Sequence, residues 1–287
     1  TIVEDAPGCM MIAEESTAWP DVTKPVSAGG LGFTFKWNMG WMHDTLTYFE
    51  KDPLYRRHHQ DDLTFAMIYE HSERFVMPLS HDEVVHLKGS MLQKMPGDEW
   101  QRLANLRTLL AYQFTRPGKV LLFMGTELAP WTEWNHDTSL DWHLLQDPAR
   151  AGFVKFMERM GDVYRRCTPL WRNDHSWEGF SWIDVSDREN SVLSFVRWDG
   201  MEHVVVVMNL TPIPREHYRV GAPTPGAYVP LLNTDAPEFG GSGYGNVGRV
   251  ETEPSPFHGY AQSMTLTLPP LSAVVLARAE HAAAWMR

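Results

Sequence analysis

Cysteine is scarce in this sequence. Cys9 and Cys167 are the only two in 287 residues, far apart and outside any metal-type spacing, so neither a disulfide framework nor a zinc ribbon is indicated and both read as reduced thiols. No apolar run approaches the roughly 18 residues that a membrane span needs, and no charged leader precedes an apolar stretch near the start. No membrane partner and no export are expected, which points to a cytoplasmic protein. Positive charge is also in short supply, with 25 Lys and Arg against 36 Asp and Glu and a net charge of -11. With neither a basic patch nor a basic amphipathic helix, a nucleic-acid or anionic-membrane partner is excluded, and a neutral or polyhydroxylated ligand suits better. Internal repeats and true low-complexity tracts are absent.

What is present is an ordinary globular composition, 43% hydrophobic, long enough for two domains. Short apolar strands alternate with helical stretches as far as about residue 173, the pattern of strand-helix units around a parallel sheet. Four strands are expected, at residues 10–13, 33–37, 75–79 and 120–124, with helix signals at 42–49 and 98–114. After Trp171 the pattern changes to short strands divided by Gly, Pro, Asn and Asp, which predicts an antiparallel sandwich. The boundary is placed between an α/β domain over 1–175 and an all-β domain over 176–287. Residues 234–256 contain GGSGYG without a strand-to-helix context, so a long mobile surface loop is expected there rather than a phosphate site. The chain opens on Thr1 and enters a strand-like segment almost at once, as if its beginning were missing.

Residues 75–88, FVMPLSHDEVVHLK, concentrate the chemistry. An apolar strand ends abruptly in Ser80, His81, Asp82, Glu83 and His86, which is how a barrel strand delivers catalytic groups to a pocket. A zinc reading of HDEVVH fails on spacing, because two His five apart diverge on a helix surface. The pair Glu14–Glu15 likewise follows an apolar run, and alternation places the two on opposite faces without saying which faces inward. Cleaving a glycosidic bond needs two carboxyl groups flanking it, and strand ends can fix them rigidly. The other His-Asp pair, His136–Asp137, falls in a loop past the fourth strand; residues 133–142 read as a loop that caps the following helix and lines a groove. Aromatic residues, including 12 Trp, occur beside polar loop residues at Trp19, Trp37, Trp41, Trp131, Trp134 and Trp142. Flat aromatic faces stack on sugar rings, although Trp41 and Trp142 read better as packing residues.

Together these segments resemble the glycogen branching enzymes, the 1,4-α-glucan branching members of the α-amylase superfamily. The resemblance rests on AEEST at 13–17, GGLGFTFKWNMGWMHDTL at 29–46, PLSHDEVVH at 78–86, KMPGDEWQ at 94–101, LLFMG at 121–125, EWNHDTSLDWHLL at 133–145 and NLTPIPR at 209–215. It implies the second half of a (β/α)8 barrel followed by a C-terminal β-sandwich. It implies that Glu14 is the general acid/base, Asp82 the transition-state-stabilising carboxylate and His81 a substrate contact, with Glu15 and Glu83 in support; on the aromatic pattern, Trp37 and Trp134 are expected as further sugar contacts. The activity implied is retaining transglycosylation on α-1,4-glucan chains such as glycogen and amylose, forming α-1,6 branches in glycogen biosynthesis, with no cofactor and no metal. The nucleophilic Asp of that chemistry has no counterpart here, so the chain is expected to be a fragment, inactive alone, whose partner is the missing N-terminal part of the same polypeptide. Leu87, where the family usually has Gly, and residues 126–131 depart from the family wording. The competing readings are a non-catalytic glucan-binding truncation and a hydrolytic α-amylase relative.

Overall fold

The computed structural model describes residues 5–245 and 248–286. The first half is built on four parallel strands, β1 (Ile12–Ala13), β2 (Phe35–Trp37), β3 (Phe75–Leu79) and β4 (Lys119–Leu122), hydrogen-bonded in that order. Parallel pairing requires a crossover between neighbours, and two of the three crossovers carry a helix of at least three turns. Helix α1 (Met39–Glu50) follows β2 and starts at Asn38, whose side chain accepts from the Trp41 amide. Helix α2 (Glu99–Thr115) leads into β4 and opens with a capping box between Asp98 and Gln101, reciprocal bonds that satisfy amides the helix cannot. Its face from Leu103 to Tyr112 is almost wholly buried. Helix α3 (Pro148–Arg166) is capped by Asp147, with Pro148 at the first turn. The segment 133–142 therefore does not cap this helix, contrary to the sequence expectation; a 3-10 turn, Trp142–Gln146, intervenes.

The second half holds a six-stranded antiparallel sheet in the order β10 (Val250–Glu251), β9 (Ala227–Asn233), β12 (Ser272–Arg278), β7 (Glu202–Asn209), β6 (Val192–Asp199), β5 (Phe180–Asp184), and a two-stranded sheet of β11 (Gln262–Leu268) and β8 (Arg215–Ala222). The larger sheet is a middle layer. From β6 (Val192–Asp199), β7 (Glu202–Asn209) and β12 (Ser272–Arg278), one set of side chains (Val196, Val205, Val207, Val274, Leu276) packs toward Val220, Met264 and Leu266 of the small sheet. The alternate set, including Phe195, Val204, Val206 and Val275, joins the same core as Leu106, Leu110 and Phe153 of the helices. That is why residues 204–207 read as four consecutive valines: both faces of the strand are dry.

Buried arginines tie the halves together. Arg56 donates from Nη1 to the Leu210 carbonyl at 2.9 Å, Arg107 from Nε to that of Thr234 at 2.8 Å, and Arg197 from Nη1 to that of Thr115 at 2.8 Å. One of these contacts, that of Arg107, bears on the predicted mobile loop. Arg107 also holds the Phe239 carbonyl, and the Asp235 carboxylate accepts from the Ser242 amide and hydroxyl at 2.8 and 2.6 Å. Phe239 is buried against α3, so the first part of residues 234–256 is an anchored turn rather than a free loop.

Candidate functional site

Because β1 to β3 are parallel, their C-terminal ends lie along one edge of the sheet. Glu14 follows β1 there, and Ser80, His81 and Asp82 follow β3. The backbone leaving β3 tightens into a 3-10 turn, His81–Glu83, closed by a capping box. Glu83 is buried and its Oε2 accepts from the Ser80 amide at 2.6 Å and the Ser80 hydroxyl at 2.9 Å. The buried acid thus fixes the turn, and the two residues before it, His81 and Asp82, project outward with side chains about half exposed and Nε2 3.3 Å from Oδ1.

Glu14 and Glu15 differ in the partners they meet. Ala13 pairs in register with Lys36 of β2, and the buried Lys36 ammonium lies 2.6 Å from the Glu15 carboxylate while donating to the Thr17 carbonyl at 3.2 Å. Bonding to Lys36 and to Thr17 holds the Glu15 carboxyl down at about 2. Glu14 is exposed, and no hydrogen bond or ion pair among the described residues engages its carboxylate.

An aromatic row runs from β3 to the loop after β4. The His81 ring lies 6.0 Å from Phe123, and Phe123 meets Trp134 edge-on at 5.1 Å. Trp134 is held there by its amide, which donates to the Val84 carbonyl at 3.1 Å. The structure therefore brings His81, Asp82 and Trp134 together. Trp37 goes elsewhere, lining a cavity of about 520 Å³ with Glu15, Trp19, Lys36 and Tyr69. Of the other tryptophans, Trp41 is fully buried, whereas Trp142 is 55% exposed and is no packing residue, against expectation. Trp131 sits under the Arg102 and Arg150 guanidinium groups, 5.9 and 5.2 Å from its ring centre. His136 and Asp137 form a pair 3.3 Å apart that is largely in solvent.

Sequence reasoning missed Phe123, read only as strand interior, and Glu133, whose carboxylate accepts from the Gly89 amide at 2.9 Å and so joins the two loops. That bond, with the neighbouring Leu87 amide, lowers the Glu133 pKa. No side-chain cluster suited to a metal ion occurs among the described residues.

Residues 182–279 match the family model for the alpha amylase C-terminal all-beta domain. The 1,4-alpha-glucan branching enzyme GlgB of Cereibacter sphaeroides is 55% identical over 271 residues, 94% of this chain and 37% of that protein. That of Aquifex aeolicus is 54% identical over 96% of this chain and 44% of its own length, and that of Burkholderia thailandensis 55% over 98% and 34%. The chain thus spans less than half the length of these relatives. Among solved structures, an Anoxybacillus alpha-amylase superposes with a TM-score of 0.60 at 16% identity, over 96% of this chain and 54% of that one, a likeness of fold. The resemblance read from the motifs extends over nearly the whole chain.

Proposed function

We infer that this chain, which groups by sequence with the 1,4-alpha-glucan branching enzymes of the α-amylase family, supplies two of the three carboxylates of a retaining transglycosylase. In this reading residues 1–175 are the second half of a (β/α)8 barrel and residues 176–287 a C-terminal sandwich that shields its flank. The observation that carries the proposal is the placement of Glu14 and Asp82 after two parallel strands of one sheet, at the same edge, where barrel enzymes hold their catalytic groups.

Glu14 protonates the leaving glucosidic oxygen while a nucleophilic carboxylate, contributed by the remainder of a longer protein, attacks the anomeric carbon. The same Glu14, now ionised, accepts the proton of an incoming 6-hydroxyl, and an α-1,6 branch replaces an α-1,4 linkage. Asp82 stabilises the positive charge at the anomeric centre, and His81 binds the sugar beside it. Trp134 offers a stacking face on this rim and Trp37 another at the end of β2.

Activity is assayed on amylose by the iodine-stain shift and by linkage analysis, which separates branching from hydrolysis. The isolated chain should leave amylose unbranched, and the longer protein should branch it. In the longer protein Glu14→Gln and Asp82→Asn should each lower the rate by about a thousandfold or more, the scale for losing a group that acts as a unit with others. Either variant retaining a tenth of the activity would remove that residue from the mechanism.

A further inference from the structure

Immediately after the turn bearing Asp82, the backbone does something costly. His86 and Leu87 adopt φ of 58° and 68°, followed by Gly89 at 74°. Two successive non-glycine residues in the left-handed region are strained. The strain brings no packing in return, because Leu87 is 98% exposed. A glycine would relieve the strain at Leu87 without loss of any packing contact.

The conformation is held from outside. The Glu133 carboxylate faces successive amides of this segment, bonded to that of Gly89 at 2.9 Å with those of Leu87 and Lys88 close by. Such a run of convergent N–H groups forms a concave anion seat. Lys88 Nζ reaches back to the Asp82 carbonyl at 2.7 Å, and Lys94 Nζ holds the Lys88 carbonyl at 2.8 Å. Residues 86–89 are thereby fixed to the Asp82 turn on one side and to the loop bearing Trp134, the residue after Glu133, on the other.

We propose that Leu87 is a specificity-determining contact for the glucan chain, an aliphatic lip set on the rim beside Asp82 to meet the C–H face of a pyranose ring, and that Glu133 is the residue that positions it. This deepens the glucan reading of the site and rests on it. The chemistry matches: a solvent-exposed leucine on a segment tied both to the Asp82 turn and to the loop bearing Trp134 gains by covering apolar sugar surface, and prior fixation of that backbone lowers the entropy cost of ordering it on binding.

The test uses the full-length enzyme that contains this chain, with amylose as substrate and maltoheptaose as the binding probe. Leu87→Gly should raise both KM and Kd about fivefold, the scale of half-burying one leucine side chain, while kcat changes less than about twofold and Tm does not fall. Glu133→Gln should speed hydrogen exchange at the Gly89 amide and raise KM similarly. The double variant should be no worse than Leu87→Gly alone, since the two act through one contact. Unchanged KM and Kd in Leu87→Gly would overturn the proposal, as would additive effects in the double variant. A fall in Tm with KM intact would make Leu87 a packing residue against the rest of the longer protein. If the wild-type enzyme forms no branches yet Leu87→Gly still weakens maltoheptaose binding, the lip stands and the branching reading fails. If it branches amylose and Leu87→Gly behaves as wild type, only the lip fails. Should Glu133→Gln not fold, the Leu87→Gly measurements decide alone.

Discussion

His203 should make the sandwich sensitive to mild acid. Its ring is fully buried at the start of β7, between Trp198 and Tyr228 at centroid distances of 4.8 and 5.8 Å. Nε2 lies 2.8 Å from the Tyr228 hydroxyl and Nδ1 3.4 Å from the Met201 carbonyl, a pattern that suits the neutral tautomer protonated at Nδ1, with the tyrosine donating to Nε2. Burial lowers its pKa from 6.5 to about 4, opposed by the Met201 carbonyl and aided by Arg278. The folded-state value is depressed, so the unfolded chain takes up the proton first. Stability is complete above pH 6.5, drains away as the pH falls toward 4, and levels off below it. At 1.36 kcal/mol per unit the full loss is about 3 kcal/mol. Urea unfolding of wild type and His203→Gln between pH 7.5 and 4.5 reads this directly, since titrations shared by both proteins cancel in the difference. The glutamine keeps an acceptor for Tyr228, and the stability advantage of wild type over variant should shrink on acidification by up to about 1.4 kcal/mol per pH unit. Parallel curves would refute the account.

Two further substitutions test what holds the halves and the site in place. Arg56 is fully buried and donates to the carbonyls of Leu210, Phe49 and Lys51 at 2.9, 3.0 and 3.2 Å; Arg56→Met strands all three and should cost about 3 kcal/mol in urea unfolding, roughly 1 kcal/mol each, and a loss below about 1 kcal/mol would refute it. Glu83→Ala removes the acceptor for both Ser80 donors and should cost about 2 kcal/mol, with Glu83→Gln recovering about half; identical melting of the two variants would dismiss the capping box.

The parallel strands are legible because each is a short, mostly apolar run followed by polar or aromatic residues, and the observed bounds differ from the expected ones by two residues or fewer. The helix after β2 begins at Met39 rather than Met42, because its start is set by the Asn38 cap and not by the apolar periodicity that marks its body. Residues 234–256 were misread for a different reason. Gly, Ser and Pro are equally suited to a free loop and to an anchored turn, and the anchor, Arg107, lies 127 residues from the Thr234 carbonyl it holds. Composition carries no trace of that contact. Trp142 fails similarly: flanked by Asp141 and His143 but with Leu140 and Leu144 next along the chain, it reads as a packing residue, whereas the 3-10 turn presents it to solvent.

At the site, the difficulty was an excess of acids, and the structure sorts them by the donors each one meets. Glu15 is neutralised by Lys36 from the next strand, a contact that depends on the β1–β2 register and cannot be read from alternation within one strand. Glu83 is spent on Ser80 and Glu133 on the Gly89 amide. Each of these carboxylates is already engaged by a fixed donor, and for Glu15 and Glu133 that bonding lowers the pKa and makes them poor proton carriers. Glu14 meets no such donor among the described residues, and the Asp82 carboxylate meets only the half-exposed His81. A group that must give up a proton, or face a cation that exists only at the transition state, has to be left free of such partners in the resting protein. By that argument the two acids without a structural task are the ones to test first.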